Sequence, residues 1–421
     1  MSKVLLCVDI GTSSLKTAFI TPEGSVLSYA RVGFLGSGVR GEKQAQPIPF
    51  DGSLWITALQ KAFSQLRTDS PQAELLGVCI SGNGPTLATE SGKVLLWNHS
   101  IPSHIQEQVF KELAPTLRSS IFIPRLKLFQ TVFSRQWQSS SVILSGPEYL
   151  IWRLTDTAAT ILPEQRYTQA YWTEQHLSQA DIDKKKLPPF VSPGTMAGGV
   201  TQEASTRTGI PQGTPVFCGA PDFIVALIGT NTLHPGAICD RAGSSEGINL
   251  CLAINPTEII QNYGIEGLRI LPSVIPDLWN ASVLLPSSGS QFSALKRAVA
   301  PHMDYPHFVE ALLRDPSLDK KSFFYMEDIA LKVKDGFEKL SLLAHLTGTP
   351  LPTTLCTAGG QAKNPRWLEY KSRVMHIPIE NTTCPDSELM GDAILAYTHM
   401  GLFSNLQEGA EKLVQTACRY E

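Results

Sequence analysis

The chain has 421 residues, 43 % of them hydrophobic and only 17 % charged, with a formal net charge of −3. That length and balance describe a globular protein with one or two sizeable cores. They exclude a disordered chain, a collagen, a coiled coil and a broadly basic surface for nucleic acid or anionic membrane. Val4 to Val8 predicts a buried strand and Ser14 to Ile20 a second, joined by the turn Gly11-Thr12-Ser13. Asp9 breaks the first apolar run, which argues for a strand and against a signal peptide. Pro22-Glu23-Gly24 predicts the next turn, Ser25 to Ala30 a third strand, and Gly33 to Pro49 a loop. Leu54 to Leu66 has helical spacing, and Leu75 to Ser81 reads as a buried strand. The turn Gly82-Asn83-Gly84-Pro85 then leads into paired strands at Thr86–Glu90 and Val94–Trp97. A helical, loop-rich middle follows, with a polar and basic patch from Asp181 to Lys186 that reads as solvated surface.

From Thr214 the pattern of the opening returns. Pro215 to Gly219 predicts a strand, Asp222 to Gly229 a helix, and Gly236 to Arg241 and Gly247 to Ala253 a strand pair. The segments Asp9-Ile10-Gly11-Thr12-Ser13-Ser14 and Asp240-Arg241-Ala242-Gly243-Ser244-Ser245 are alike: an acid, then a turn of glycine and hydroxyl residues. Two copies point to a duplicated lobe, with lobes of 1–213 and 214–421. Leu355 to Ala358 leads into Gly359-Gly360, and Asp386 to Gly401 is an Ala-rich helix. The eight cysteines form no CxxC pair and mostly sit in apolar runs, the pattern of reduced, buried thiols. No apolar stretch approaches about 18 residues, so no membrane span is expected and the location expected is cytoplasmic.

A turn of glycine and hydroxyl residues offers successive backbone N–H groups as a nest for phosphate oxygens. Thr12, Ser13 and Ser14 add hydroxyl donors, and Asp9 can hold a magnesium ion through water. The alternative is an Asp-capped turn whose hydroxyls satisfy one another. Asp222 follows a strand and a Gly-Ala-Pro turn and opens an apolar helix. It suits a helix N-cap, and it equally suits the acceptor of a hydroxyl proton in phosphoryl transfer. No GxxxxGK[ST], GxGxxG strand–helix turn, His-Arg-Asp loop or GxSxG occurs, which argues against a P-loop enzyme, a dehydrogenase, a protein kinase and a serine hydrolase.

Taken in order, VDIGTSSLKTAFI, ISGNGPTL, LLWN, GAPDFIVALIGTNTLHPGAICDRAGSSEGINLC and AGGQAKNPRWLEY…ELMGDAILAYTHMG resemble the FGGY carbohydrate kinases, nearest to xylulokinase-like members. The resemblance runs from residue 4 to about 401. It implies an α/β fold of two ribonuclease-H-like, actin-like ATPase lobes with a cleft between them. It also implies transfer of the γ-phosphate of ATP-Mg²⁺ to a sugar or polyol, with a pentulose such as xylulose foremost. By the same resemblance Asp9, Gly11, Thr12 and Ser13 match the first phosphate motif, and Gly243, Ser244 and Ser245 the second. Gly359 and Gly360 match the start of the adenosine motif, Asp222 the catalytic base, and Asn83, Trp97 and Asn98 the sugar pocket. Neither nucleic acid nor membrane is an expected partner, and homodimers are common among the proteins resembled.

Four departures stand out. Ser244 replaces the usual Thr, Gln361 stands where a third glycine is common, and His99 follows Trp97-Asn98 where many relatives carry an Asp. The segment from about 287 to 339 lacks the Gly-Glu-Arg-Pro-type loop of relatives. Gln361 and the shortened second lobe motivate a competing expectation: a degenerate kinase fold that binds nucleotide or sugar without catalysis, as a sensor or scaffold.

Overall fold

The structure is a computed structural model that describes residues 2–34, 50–243 and 245–421. Most of the loop expected from Gly33 to Pro49, and Ser244 of the second turn, lie outside the described residues. The chain forms two compact units, Met1–Val225 with Asp392–Ser404, and Ala226–Gly391 with Asn405–Glu421. The lobes expected from sequence divide at 213/214. The units divide further on, inside one continuous helix, and the chain returns to the first unit near its end.

The first unit is built on a six-stranded mixed sheet. Its strands are β1 (Lys3–Ile10), β2 (Ser14–Ile20), β3 (Val26–Gly33), β4 (Glu74–Gly82), β5 (Met196–Gly199) and β6 (Pro215–Pro221), in the order β5-β6-β4-β1-β2-β3. β1, β4 and β6 are parallel, whereas β2, β3 and β5 run antiparallel to their neighbours. Val4 to Val8 is fully buried because β1 is central, so its sequence is continuously apolar instead of alternating. Helix α1 (Ser53–Asp69) buries Trp55, Leu59, Ala62, Phe63 and Leu66 at helical spacing and packs on β2 and β3. Helix α2 (Gly146–Thr155) packs on β4 and β6 and opens with a capping box. Its Glu148 accepts from the backbone N–H of Ser145 at 2.9 Å and of Ile161 at 2.6 Å. Burial of that carboxyl pushes its pKa up to about 7. Helix α3 (Asp222–Gly229) begins where β6 ends.

The second unit carries a seven-stranded sheet of β7 (Ile238–Ala242), β8 (Glu246–Leu252), β9 (Arg269–Pro272), β10 (Trp279–Leu285), β11 (Leu355–Ala358), β12 (Ile379–Thr382) and β13 (Thr416–Tyr420). The order is β9-β10-β8-β7-β11-β12-β13, with β7, β11 and β12 parallel. Helices α4 (Lys320–Leu346) and α5 (Pro365–Met375) supply Val333, Leu340, Leu343, Trp367 and Leu368 to its core. Most of the segment 287–339 is helical, in Ser288–Val299, Tyr305–Arg314 and the first turns of α4. Helix α6 (Ser387–His399) is the Ala-rich helix expected near the C-terminus. The expected strand pair after Pro85 is shorter than its sequence suggests, at Leu87–Thr89 and Val94–Leu95.

Candidate active site

In the first unit, the register of the parallel strands gathers the candidate residues. Asp9 pairs with Ser81, and Ile10 with Gly82; across the other side of β4, Pro221 of β6 pairs with Gly82. The residues that follow, Gly11, Asn83 and Asp222, therefore leave the carboxyl ends of three adjacent parallel strands. That edge is where open α/β sheets bind ligands. The Asn83 backbone N–H donates to the Ile10 carbonyl at 3.0 Å, tying the β4 turn to the β1 turn. Asp222, half-buried, is the first residue of α3. Its position serves equally the helix start and a carboxylate at the strand ends.

The first turn is closed by the Gly11 N–H donating to the Ser14 carbonyl at 3.0 Å. A Cβ at Gly11 would come 2.9 Å from that same oxygen, so the tight return requires glycine. The Trp97 indole N–H donates to Thr12 Oγ1 at 3.0 Å. The Trp97 backbone N–H donates to Thr86 Oγ1 at 3.1 Å, and that hydroxyl donates to Asn83 Oδ1 at 3.0 Å. One chain of hydrogen bonds thus links Thr12, Trp97, Thr86 and Asn83. Trp97 is 45 % exposed. Asn98 and His99 are exposed beside it. Burial, helped by the cations Arg125 and Lys93, pulls the His99 pKa below its ordinary value and favours a neutral imidazole.

Asp9 is buried, and its Oδ2 lies 3.2 Å from Lys16 Nζ, directly across the β1–β2 hairpin. Sequence reasoning missed Lys16. The hairpin register could have found it, because pairing across a Gly11–Ser14 turn sets Lys16 opposite Asp9. Arg125 was missed too: burial lowers its pKa to about 10, and its buried Nε and Nη2 have no hydrogen-bond partner.

In the second unit, β7 and β8 form the matching hairpin, with the Gly243 N–H donating to the Ser245 carbonyl at 3.0 Å. Arg241 pairs with Ala358 of β11, so Gly359 and Gly360 lie at the same sheet edge as this turn. Gly359 has φ +89°, and a Cβ there would fall 2.7 Å from the Ala242 carbonyl oxygen. Gly360 is exposed, with open space where a side chain would stand. Gln361 turns away from that space: its Oε1 accepts from the Trp367 indole N–H at 2.6 Å.

The profile of the FGGY family of carbohydrate kinases, N-terminal domain, matches residues 4–229, more than half of the chain. The chain belongs to the FGGY family of carbohydrate kinases. These are phosphotransferases with an alcohol group as acceptor, and the chain is assigned to that enzyme class. It is 22 % identical to the xylulose kinase of Bacillus subtilis (strain 168), over 99 % of this chain and 92 % of that protein. Among solved structures it resembles the ligand-bound xylulose kinase of Lactobacillus acidophilus, at 16 % identity and TM-score 0.76, covering 99 % and 93 % of the two chains. Plasmodium falciparum glycerol kinase with ADP gives 14 % identity and TM-score 0.73, covering 100 % and 94 %. Those two likenesses show the fold, the two-lobed actin-like ATPase architecture expected from the motifs.

Among the described residues, no group of three His, Cys, Asp or Glu side chains is placed to hold a metal ion. No helix of the described residues is long and apolar enough to cross a membrane.

Proposed function

We propose that this kinase transfers the γ-phosphoryl group of ATP to a hydroxyl of a sugar or polyol, and that a pentulose such as xylulose is the substrate class. The observation carrying this reading is the convergence of Gly11, Asn83 and Asp222 at the carboxyl ends of β1, β4 and β6, with Trp97 bonded to Thr12. The pentulose rests on the likeness to the Bacillus subtilis xylulose kinase.

Trp97 gives the carbohydrate an apolar face, and Asn83 and Asn98 bond its hydroxyls. Asp222 accepts the proton of the reacting hydroxyl as its oxygen bonds to the γ-phosphorus. The bond from that phosphorus to the β-bridging oxygen breaks, and ADP leaves. The turn nests of Gly11-Thr12-Ser13 and Gly243-Ser244-Ser245 receive phosphate oxygens, and Gly359-Gly360 leave room for the adenosine. Asp9 would hold a magnesium ion through water, its carboxylate already facing the Lys16 ammonium, and that ion would neutralise phosphate charge.

The deciding experiment is coupled ADP release with ATP-Mg²⁺ against pentuloses, hexuloses, aldoses and polyols. Asp222→Asn is expected to abolish release, a loss of at least about a hundredfold as for a removed general base, while ADP affinity measured by calorimetry stays near that of the wild type. A variant that keeps most of its activity removes Asp222 from the chemistry. The competing reading, a binder without catalysis, draws on Gln361 in the adenosine motif. ADP binding without release from any acceptor supports it.

A further inference from the structure

Beneath the second turn lies a cluster of charges that the proposed chemistry does not use. Lys371 of α5, Asp240 of β7 and Glu246 of β8 all have fully buried side chains. Lys371 Nζ lies 2.6 Å from Asp240 Oδ2 and 3.5 Å from Glu246 Oε2. One ammonium therefore grips both strands of the β7–β8 hairpin. The same Nζ stands 5.4 Å from the centroid of the Trp367 ring, and Trp367 holds Gln361 by its indole N–H. Gln361 follows Gly359-Gly360, so the network joins the two turns at this sheet edge from below.

Such a buried trio is costly. Desolvating three charges outweighs much of their mutual attraction, and apolar replacements of similar volume are often as stable or more so. Its worth must then lie in geometry. We propose that Lys371 is a positioning residue, holding the β7–β8 turn and the Gly359-Gly360 turn in one nucleotide-receiving arrangement, the first through Asp240 and Glu246 and the second through Trp367 and its bond to Gln361. This inference rests on the assignment of those turns to the nucleotide.

The cluster also gives the arrangement a charge that nucleotide can sense. With both carboxyls ionised its net charge is −1; with Glu246 protonated it is zero. The groups facing Glu246 are Lys371 from α5, Asp240 from β7, Gln361 after β11 and the Tyr325 phenol from α4. Arg241 lies across Gly247, the residue after Glu246, with its Nη2 3.0 Å from where a Cβ would stand. Burial, opposed by Lys371 and reinforced by Asp240, pushes the Glu246 pKa up to about 7. Burial draws the Lys371 ammonium down, but the two carboxylates outweigh it and hold its pKa above the ordinary value. An added anion above the turn favours the protonated carboxyl, so nucleotide binding takes up a proton and weakens as pH rises through 7.

The test is ADP calorimetry on the full chain from pH 6 to 8.5, in two buffers of different ionisation enthalpy, for wild type, Glu246→Gln and Lys371→Met. Wild-type affinity is expected to fall by roughly three- to tenfold across that range, as a pKa rise of up to one unit on a single carboxyl allows. Glu246→Gln should keep the low-pH affinity and lose most of the fall and the proton uptake. ADP's own phosphate ionisation is common to both proteins, so the difference between their profiles isolates the carboxyl. Lys371→Met should weaken ADP by about tenfold or more, since both strands lose their shared anchor. If that variant fails to fold, the Glu246→Gln profile still decides. Wild-type affinity and pH dependence in Glu246→Gln and in any folded Lys371→Met overturn the inference alone. A wild-type protein that binds no ADP at any pH overturns the nucleotide assignment, and the inference with it.

Discussion

Trp97 shows how one side chain serves two partners at once. Its indole N–H is committed to Thr12, while the residue stays exposed to solvent. Trp97→Phe keeps an apolar face and loses the anchor; Trp97→Ala loses both. The KM for the carbohydrate is expected to rise less than about tenfold in the first, the cost of one hydrogen bond, and more than about tenfold in the second. Neither should shift the thermal unfolding midpoint much, because Trp97 is exposed. Steady-state kinetics with matched melting curves checks this, and an alanine variant with unchanged KM removes Trp97 from the sugar site. Residue types at this edge were legible from sequence because glycine, hydroxyl and acid side by side suit few other tasks. What sequence hid was pairing: Asp9 with Lys16 across a hairpin, and Asp240 with Lys371 from a distant helix. The two turns that look alike in sequence thus share an acid-to-lysine pair, supplied by different elements.

At the scale of elements, strands declared themselves through burial. The apolar runs at 4–8 and 75–81, and the alternation at 14–20, correspond to β1, β4 and β2. Short strands such as Val94–Leu95 were overestimated because a partner strand, and not their own residues, sets where pairing ends. Gln361 is placed by a related effect: Trp367, brought in by the fold, holds its Oε1 through the indole N–H. Gly359 tests the motif more directly. With φ +89° and the Ala242 carbonyl oxygen 2.7 Å from where a Cβ would stand, alanine there meets both backbone strain and a clash with the neighbouring strand end. Gly359→Ala is expected to destabilise the second unit by about 1–3 kcal/mol and to lower ADP affinity. Denaturant unfolding and calorimetry read these separately. Stability and affinity both equal to wild type would show that the Ala242–Gly359 approach relaxes freely.

For the whole molecule, two compact units with separate hydrophobic cores make a single unfolding free energy ill-defined, and calorimetry should resolve two transitions. Each unit also hides a carboxyl raised to about 7: Glu148 in the first and Glu246 in the second. A carboxyl with a raised folded pKa binds its proton more tightly folded than unfolded. Its contribution is therefore fully present below its ordinary value of 4.5 and is lost as pH rises through about 7. For Glu148, completely enclosed, the loss is on the order of 3 kcal/mol. Glu148→Gln is neutral at every pH, and it sacrifices one of the two backbone N–H bonds that the carboxyl accepts. The variant should thus be less stable than wild type near pH 4.5. The gap should then narrow or reverse by pH 8, in one transition only. A gap constant across that range would mean that Glu148 ionises at its ordinary pKa, and that water reaches the start of α2 after all.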